Sequence, residues 1–169
     1  MYDFRIEAED KASLYRELIE AADALTAGEP DPIANMANVA ALLFEALPDL
    51  NWAGFYRNLG GELVLGPFQG RPACIRIPFG KGVCGTSAAA RAPLLVDDVL
   101  AFPGHIACDA ASRSELVVPI LIEGGLAGVL DLDSPSPARF DHEDEAGCVK
   151  LIQRLSGRLG AMAKGPAQG

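Results

Sequence analysis

The chain has 169 residues, half of them apolar, with eighteen Gly, twelve Pro and a formal charge of −9. That length suits one domain with a real hydrophobic core, and the composition excludes general disorder. An acidic chain without a basic stripe has no electrostatic footprint for nucleic acid. The N-terminus, charged from its first turn, lacks a signal peptide's apolar core. No uninterrupted apolar run approaches the roughly eighteen residues of a membrane helix, so a cytoplasmic protein is expected.

Residues 8–27 carry Leu14, Tyr15, Leu18, Ile19, Ala22 and Leu25 near helical spacing, with Ala12 on the same stripe, before Gly28 and Pro30 stop the pattern. A second helix is expected over 31–47, with Asp31 placed to cap it and Pro32 at its first position. Its stripe is Ile33, Met36, Ala40, Leu43 and Leu47, with Val39 beside it.

The period then shortens. Residues 51–59 and 62–68 read as strands joined through Leu59-Gly60-Gly61, and 74–78 as a third. A glycine-rich turn over 80–85 leads into a short helix over 86–91, followed by a strand at 94–96 and a long irregular loop over 97–113. Residues 115–123 and 126–133 form the clearest hairpin, turning at Gly124-Gly125. A closing helix over 141–162 would bury Ala146, Val149, Ile152, Leu155 and Leu159, with Leu151 flanking. Two helices, about six strands with hairpins and a terminal helix predict one α+β domain over 1–169. The sparsely structured middle is expected to serve function.

Three of the four cysteines fall in that middle. Cys84 lies in Gly80-Lys81-Gly82-Val83-Cys84-Gly85-Thr86, where a helix beginning just after it would favour a thiolate. Cys108, in a long loop, is the best candidate for a solvent-reachable reactive thiol. Free cysteine is also commonly a small buried hydrophobe, and Cys148 in the last helix fits that description. Cys74, Cys84 and Cys108 are too widely separated for the close pairs of structural zinc; His105 and Cys108 make only half a site. No metal is therefore expected. A permanent disulfide framework is unexpected in the cytosol.

Glu115 opens an apolar strand, while Asp131 and Asp133, two apart, point to one face of another. They either mark strand ends or gather around a cationic or proton-sharing ligand, because buried carboxylates are costly alone. Trp52 and Tyr56 share parity on the first strand, as core aromatics or as a wall for a methyl or thioether group. Phe79-Gly80-Lys81-Gly82 could form a generic anion nest, without the full phosphate-loop pattern.

Taken together, several runs resemble the GAF-domain free methionine-(R)-sulfoxide reductases. They are Asn51-Trp52-Ala53-Gly54-Phe55-Tyr56, Leu65-Gly66-Pro67-Phe68-Gln69-Gly70 with Ala73-Cys74, and the Phe79–Thr86 run. Phe102-Pro103-Gly104-His105-Ile106-Ala107-Cys108-Asp109, Ser114-Glu115-Leu116-Val117-Val118-Pro119-Ile120 and Gly128-Val129-Leu130-Asp131-Leu132-Asp133-Ser134 complete the set. The resemblance implies an antiparallel sheet flanked by helices, and reduction of free L-methionine-(R)-sulfoxide without a cofactor. It makes Cys108 the nucleophile and Cys74 and Cys84 the other redox cysteines, one or both resolving the intermediate. Glu115, Asp131 and Asp133 would hold the substrate, with Glu115 the preferred proton donor and Trp52 and Tyr56 lining the pocket. A thioredoxin-like reductant is the implied partner, and pairing of two copies through the terminal helices is an option the resemblance raises. The rival classes are a GAF sensor that binds a small ligand without turnover, and an interaction protein whose cysteines are inert.

Overall fold

Near-continuous apolar runs on the central strands generate the architecture, because successive side chains point to opposite faces and so supply both faces of one sheet with core. The computed structural model describes residues 6–104 and 111–160. Helices α1 (Lys11–Leu25) and α2 (Pro32–Ala46) precede strands β1 (Trp52–Asn58), β2 (Glu62–Gly70) and β3 (Arg76–Pro78). Helix α3 (Gly82–Ala90), strand β4 (Leu94–Val96) and a 3-10 turn (Val99–Ala101) follow. Strands β5 (Ser114–Ile122) and β6 (Gly125–Ser134) lead into helix α4 (His142–Leu159). The strands form one sheet in the order β3-β2-β1-β6-β5-β4, and every neighbouring pair is antiparallel. This is the expected α+β class.

Strand alternation divides the core in two. Ala53, Phe55, Leu116, Val118, Ile120, Leu130 and Leu132 face α1, α2 and α4. Trp52, Tyr56, Val117 and Val129 belong to a second buried cluster with Val83, Cys84 and Ala88 of α3. Burial of each large apolar side chain stabilises by roughly 1.5–3 kcal/mol, so both clusters hold the sheet. The second one is interrupted by polar groups, and there the site lies.

Local sequence explains the helix ends. Asp31 caps α2 by accepting from the Ile33 and Ala34 amides at 2.8 and 3.0 Å, with Pro32 in the first turn. Asp141 caps α4, accepting from the Glu143 and Asp144 amides, while Asp144 accepts from the Asp141 amide at 2.9 Å. The β5–β6 turn falls at Glu123 and Gly124, both with positive φ, one residue earlier than the expected Gly124-Gly125.

The buried stripe of α4 is rotated from the expected one. Ala146 is exposed and Val149 half-buried, whereas Gly147, Cys148 and Leu151 are covered. The cause is α1, whose Tyr15 ring lies directly on Gly147: a Cβ there would stand 2.1 Å from Tyr15 Cγ. Ala12, on the expected α1 stripe, is likewise exposed. Gly147→Ala should therefore lose about 1–3 kcal/mol by overpacking. Urea unfolding would measure the loss, and an unchanged midpoint would contradict this packing.

Candidate functional site

Three strands and one helix bring the site together. In the β1–β6–β5 register, Trp52 lies opposite Asp133, Gly54 opposite Asp131, and Asp133 opposite Glu115. Trp52, Tyr56, Glu115, Asp131 and Asp133 thus share one side of the sheet. Helix α3 packs over this side, its Cys84 entering the same buried cluster as Trp52 and Tyr56.

The Cys84 thiol donates toward Glu115 Oε1, with Sγ 3.8 Å away. Donor atoms of Cys84, Glu115 and Asp131 all lie within 4.8 Å of one another, a spacing at which one cation meets all three. Glu115 and Asp131 are only 7% and 6% exposed, and Asp131 Oδ1 is buried without a hydrogen-bond partner. Among the described residues, no Lys or Arg forms an ion pair with Glu115 or Asp131.

The electrostatic result follows from burial first. Desolvation, then the charges of Asp131 and Asp133, push the Glu115 carboxyl well above the usual carboxylate range. Desolvation also raises Asp131, to about 6. Both acids thus hold protons more tightly than exposed carboxyls, and Glu115 is suited to keep one near neutrality. Such a site favours a ligand that brings positive charge or accepts a proton.

The environment of Cys84 reverses the sequence expectation. Helix α3 begins at Gly82, before Cys84, and buries the thiol instead of presenting it at a free N-terminus. Desolvation, followed by the charges of Asp131 and Glu115, pushes Cys84 well above the ordinary thiol value. The site therefore favours a thiol here, not the expected thiolate.

Cys74 also differs from its predicted surroundings. Strand β3 starts at Arg76, so Cys74 lies in the irregular connection before it. It is disulfide-bonded, whereas Cys84 and Cys148 are free thiols. Cys148 sits in the helix-side core with Sγ 3.8 Å from Tyr15 Oη, and burial pushes its thiol up to about 12. The expected nucleophile Cys108 lies outside the described residues, as does His105.

Trp52 and Tyr56 stack with ring centroids 5.9 Å apart, and Phe68 extends the row on the far side of Trp52 at 5.2 Å. Nothing local in the sequence singles out Phe68, because its place depends on the β1–β2 register, which sets it opposite Gly54. Gly54 makes room for the row: a Cβ there would meet Phe68 Cβ at 2.4 Å and Trp52 Cη2 at 2.6 Å. Hydrophobicity marks each aromatic in the sequence, but pairing is needed to assemble them.

A helix-covered antiparallel sheet with a buried polar site on its other side is the arrangement of a GAF domain, and the GAF domain family model matches residues 31–161. The chain is 50% identical over 146 residues to the free methionine-R-sulfoxide reductase of Escherichia coli K12, spanning 86% of this chain and 88% of that protein. It is 51% identical over 161 residues to Protein YtsP of Bacillus subtilis 168, across 94% and 99% of the two chains. The solved free methionine-R-sulfoxide reductase of Neisseria meningitidis, in complex with its substrate, superposes with a TM-score of 0.90 at 46% identity. That match covers 94% of this chain and 96% of the solved one. The chain belongs to the GAF-domain free methionine-R-sulfoxide reductase family.

Proposed function

We propose that this protein reduces free L-methionine-(R)-sulfoxide to L-methionine with thiols as the electron source. The observation that carries the reading is the buried Cys84–Glu115–Asp131 cluster beside the aromatic row, with no described cation paired to either carboxylate. A free amino acid suits that site: its ammonium meets Asp131 and Asp133, and its methyl sulfoxide lies against Trp52 and Tyr56. A peptide lacks the free ammonium and leaves those acids unmatched.

In this reading Cys108, as thiolate, attacks the sulfoxide sulfur while protonated Glu115 gives its proton to the oxygen. Methionine leaves, and the transferred oxygen remains on Cys108 as a sulfenic acid. The Cys74 thiol displaces that oxygen as water and forms a disulfide with Cys108. An external thioredoxin-like dithiol then reduces the disulfide and becomes oxidised itself. The net change consumes one sulfoxide and two thiols, and forms methionine, water and one disulfide. The disulfide-bonded state of Cys74, beside free Cys84, supports Cys74 as the first resolving partner. Cys84 donates toward Glu115 and serves as a later exchange partner.

The same proposal places the protein in the reducing cytoplasm and pairs two copies through α1 and α4. Ala12, Ile19 and Ala146 line a groove of about 430 Å³ between those helices. Light scattering of the purified protein would measure the assembly directly.

The deciding assay couples purified protein to thioredoxin and offers free R and S sulfoxides in parallel. The R form should be consumed and the S form spared, with Cys108→Ser reduced to background. Glu115→Gln should lose about 10²–10⁴-fold because it cannot transfer a proton. In the parent, kcat/KM should fall as pH rises through the elevated Glu115 pKa, and that limb should disappear in the variant. Turnover of neither diastereomer, or full activity in Cys108→Ser, would reject the proposal.

A further inference from the structure

The polar edges of the aromatic row point away from its stacked faces and toward one short segment. Trp52 Nε1–H donates to the Arg71 carbonyl at 3.1 Å, and Tyr56 O–H donates to the Cys74 carbonyl at 3.0 Å. Those two carbonyls bracket Pro72 and Ala73, in a connection that has neither helical nor strand structure. Its far end is tied to β2 by the Leu65 amide, which donates to the Ile75 carbonyl at 2.9 Å.

Both donors lie in side chains almost wholly covered, at 2% and 1% exposure. An indole N–H or phenol O–H buried there without an acceptor would carry a desolvation penalty, so each is biased toward its carbonyl. The rings themselves have little freedom. Trp52 is held between Tyr56 and Phe68 across Gly54, and all three stack on the central strands. A rigid strand pair thereby extends two fixed donors to an otherwise irregular segment.

We infer that Trp52 and Tyr56 are positioning residues for Cys74: they hold the 71–74 backbone where its thiol is poised for disulfide closure. This inference rests on the proposed cysteine chemistry and adds a role distinct from lining the substrate pocket. Closure joins the Cys74 sulfur to the sulfenic sulfur of Cys108 and releases its oxygen as water, as above. A backbone held in place raises the effective concentration of one sulfur at the other. The hydroxyl of Tyr56 acts through the Cys74 carbonyl and does not itself exchange electrons.

Tyr56→Phe removes that hydroxyl and keeps the ring in the row. One measurement needs no sulfoxide: the Cys74 disulfide is equilibrated with glutathione, two glutathione thiols reducing it and leaving as oxidised glutathione. Its equilibrium should move about tenfold toward the thiols, the size expected for one lost hydrogen bond. In single turnover, the rate of Cys74 thiol loss divided by the rate of methionine formation should also fall about tenfold. Trp52→Phe should shift both measurements in the same direction through the Arg71 carbonyl.

An unchanged glutathione equilibrium in both variants would overturn the inference. So would equal slowing of methionine formation and thiol loss, which would make the pair a substrate wall alone. A parent protein whose Cys74 never enters a disulfide would overturn it as well. A parent that forms no methionine would defeat the proposed reaction, while the glutathione equilibrium would still judge the backbone tether.

Discussion

Asp131→Asn should stabilise the ligand-free protein near neutral pH by about 1–3 kcal/mol while sharply weakening substrate binding. Asp131 has a pKa of about 6 in the fold, against an ordinary value of 3.8, because burial disfavours its charge. The folded chain therefore binds this proton more tightly than the unfolded one. The associated stability is fully present below the unfolded value, declines as pH rises through the folded value and is lost above it. Each pKa unit corresponds to about 1.4 kcal/mol, which bounds the loss at roughly 3 kcal/mol.

Asparagine cannot ionise, so the variant escapes that loss, and its amide can donate to Glu115. Urea unfolding at about pH 8 should show the gain, which should vanish near pH 4. Enzyme assays should show a raised KM, because in the proposed site the substrate ammonium loses one carboxylate. A variant less stable than the parent at both pH values would refute this account of the site. The opposite signs of the two effects express a site arranged for its ligand at the expense of the empty fold.

The opposite effect, a loss of stability, is expected at a carboxylate on the other side of the sheet. Asp144→Ala should cost about 3–5 kcal/mol, because it leaves buried or partly buried donors without their acceptor. Asp144 Oδ1 accepts from Tyr15 Oη at 2.9 Å, and Oδ2 accepts from Lys11 Nζ at 2.6 Å. Arg139 Nη1 is 3.3 Å from the same oxygen, and the Asp144 side chain is 1% exposed. One carboxylate thus joins α1, the segment before α4 and α4 itself.

The neighbouring cap provides the scale. Asp141 is half-exposed, so Asp141→Ala should cost only about 0.5–2 kcal/mol, the usual value of a helix cap. The difference should appear in thermal unfolding, with Asp144→Ala lowered by roughly 10 °C if its loss is near 4 kcal/mol. Equal effects for the two variants would mean that Asp144 acts as a helix cap alone.

Much of the backbone could be read locally because its causes are local. Asp31-Pro32 announces the start of α2, and two apolar runs separated by Gly124-Gly125 announce the hairpin of β5 and β6. Helical spacing sets Ala146 on the stripe of α4 but does not say where the Tyr15 ring will press, and the residue is exposed. The same distinction applies to the site. Glu115, Asp131, Asp133, Trp52 and Tyr56 were recognisable as residues and by parity, while Phe68 and the Arg71 carbonyl emerged from strand register and side-chain direction.

By itself, the sequence determined the α+β class, the caps, the hairpins and the candidate residues, because propensity and periodicity act over a few residues. It also carried the family resemblance in short runs of side chains. Only tertiary structure decided that Cys84 is a buried thiol and that two β1 aromatics donate hydrogen bonds to the Arg71 and Cys74 carbonyls. The physical reason is distance along the chain: Cys84, Glu115 and Asp131 come from α3, β5 and β6, and their desolvation and charge exist only once those elements pack.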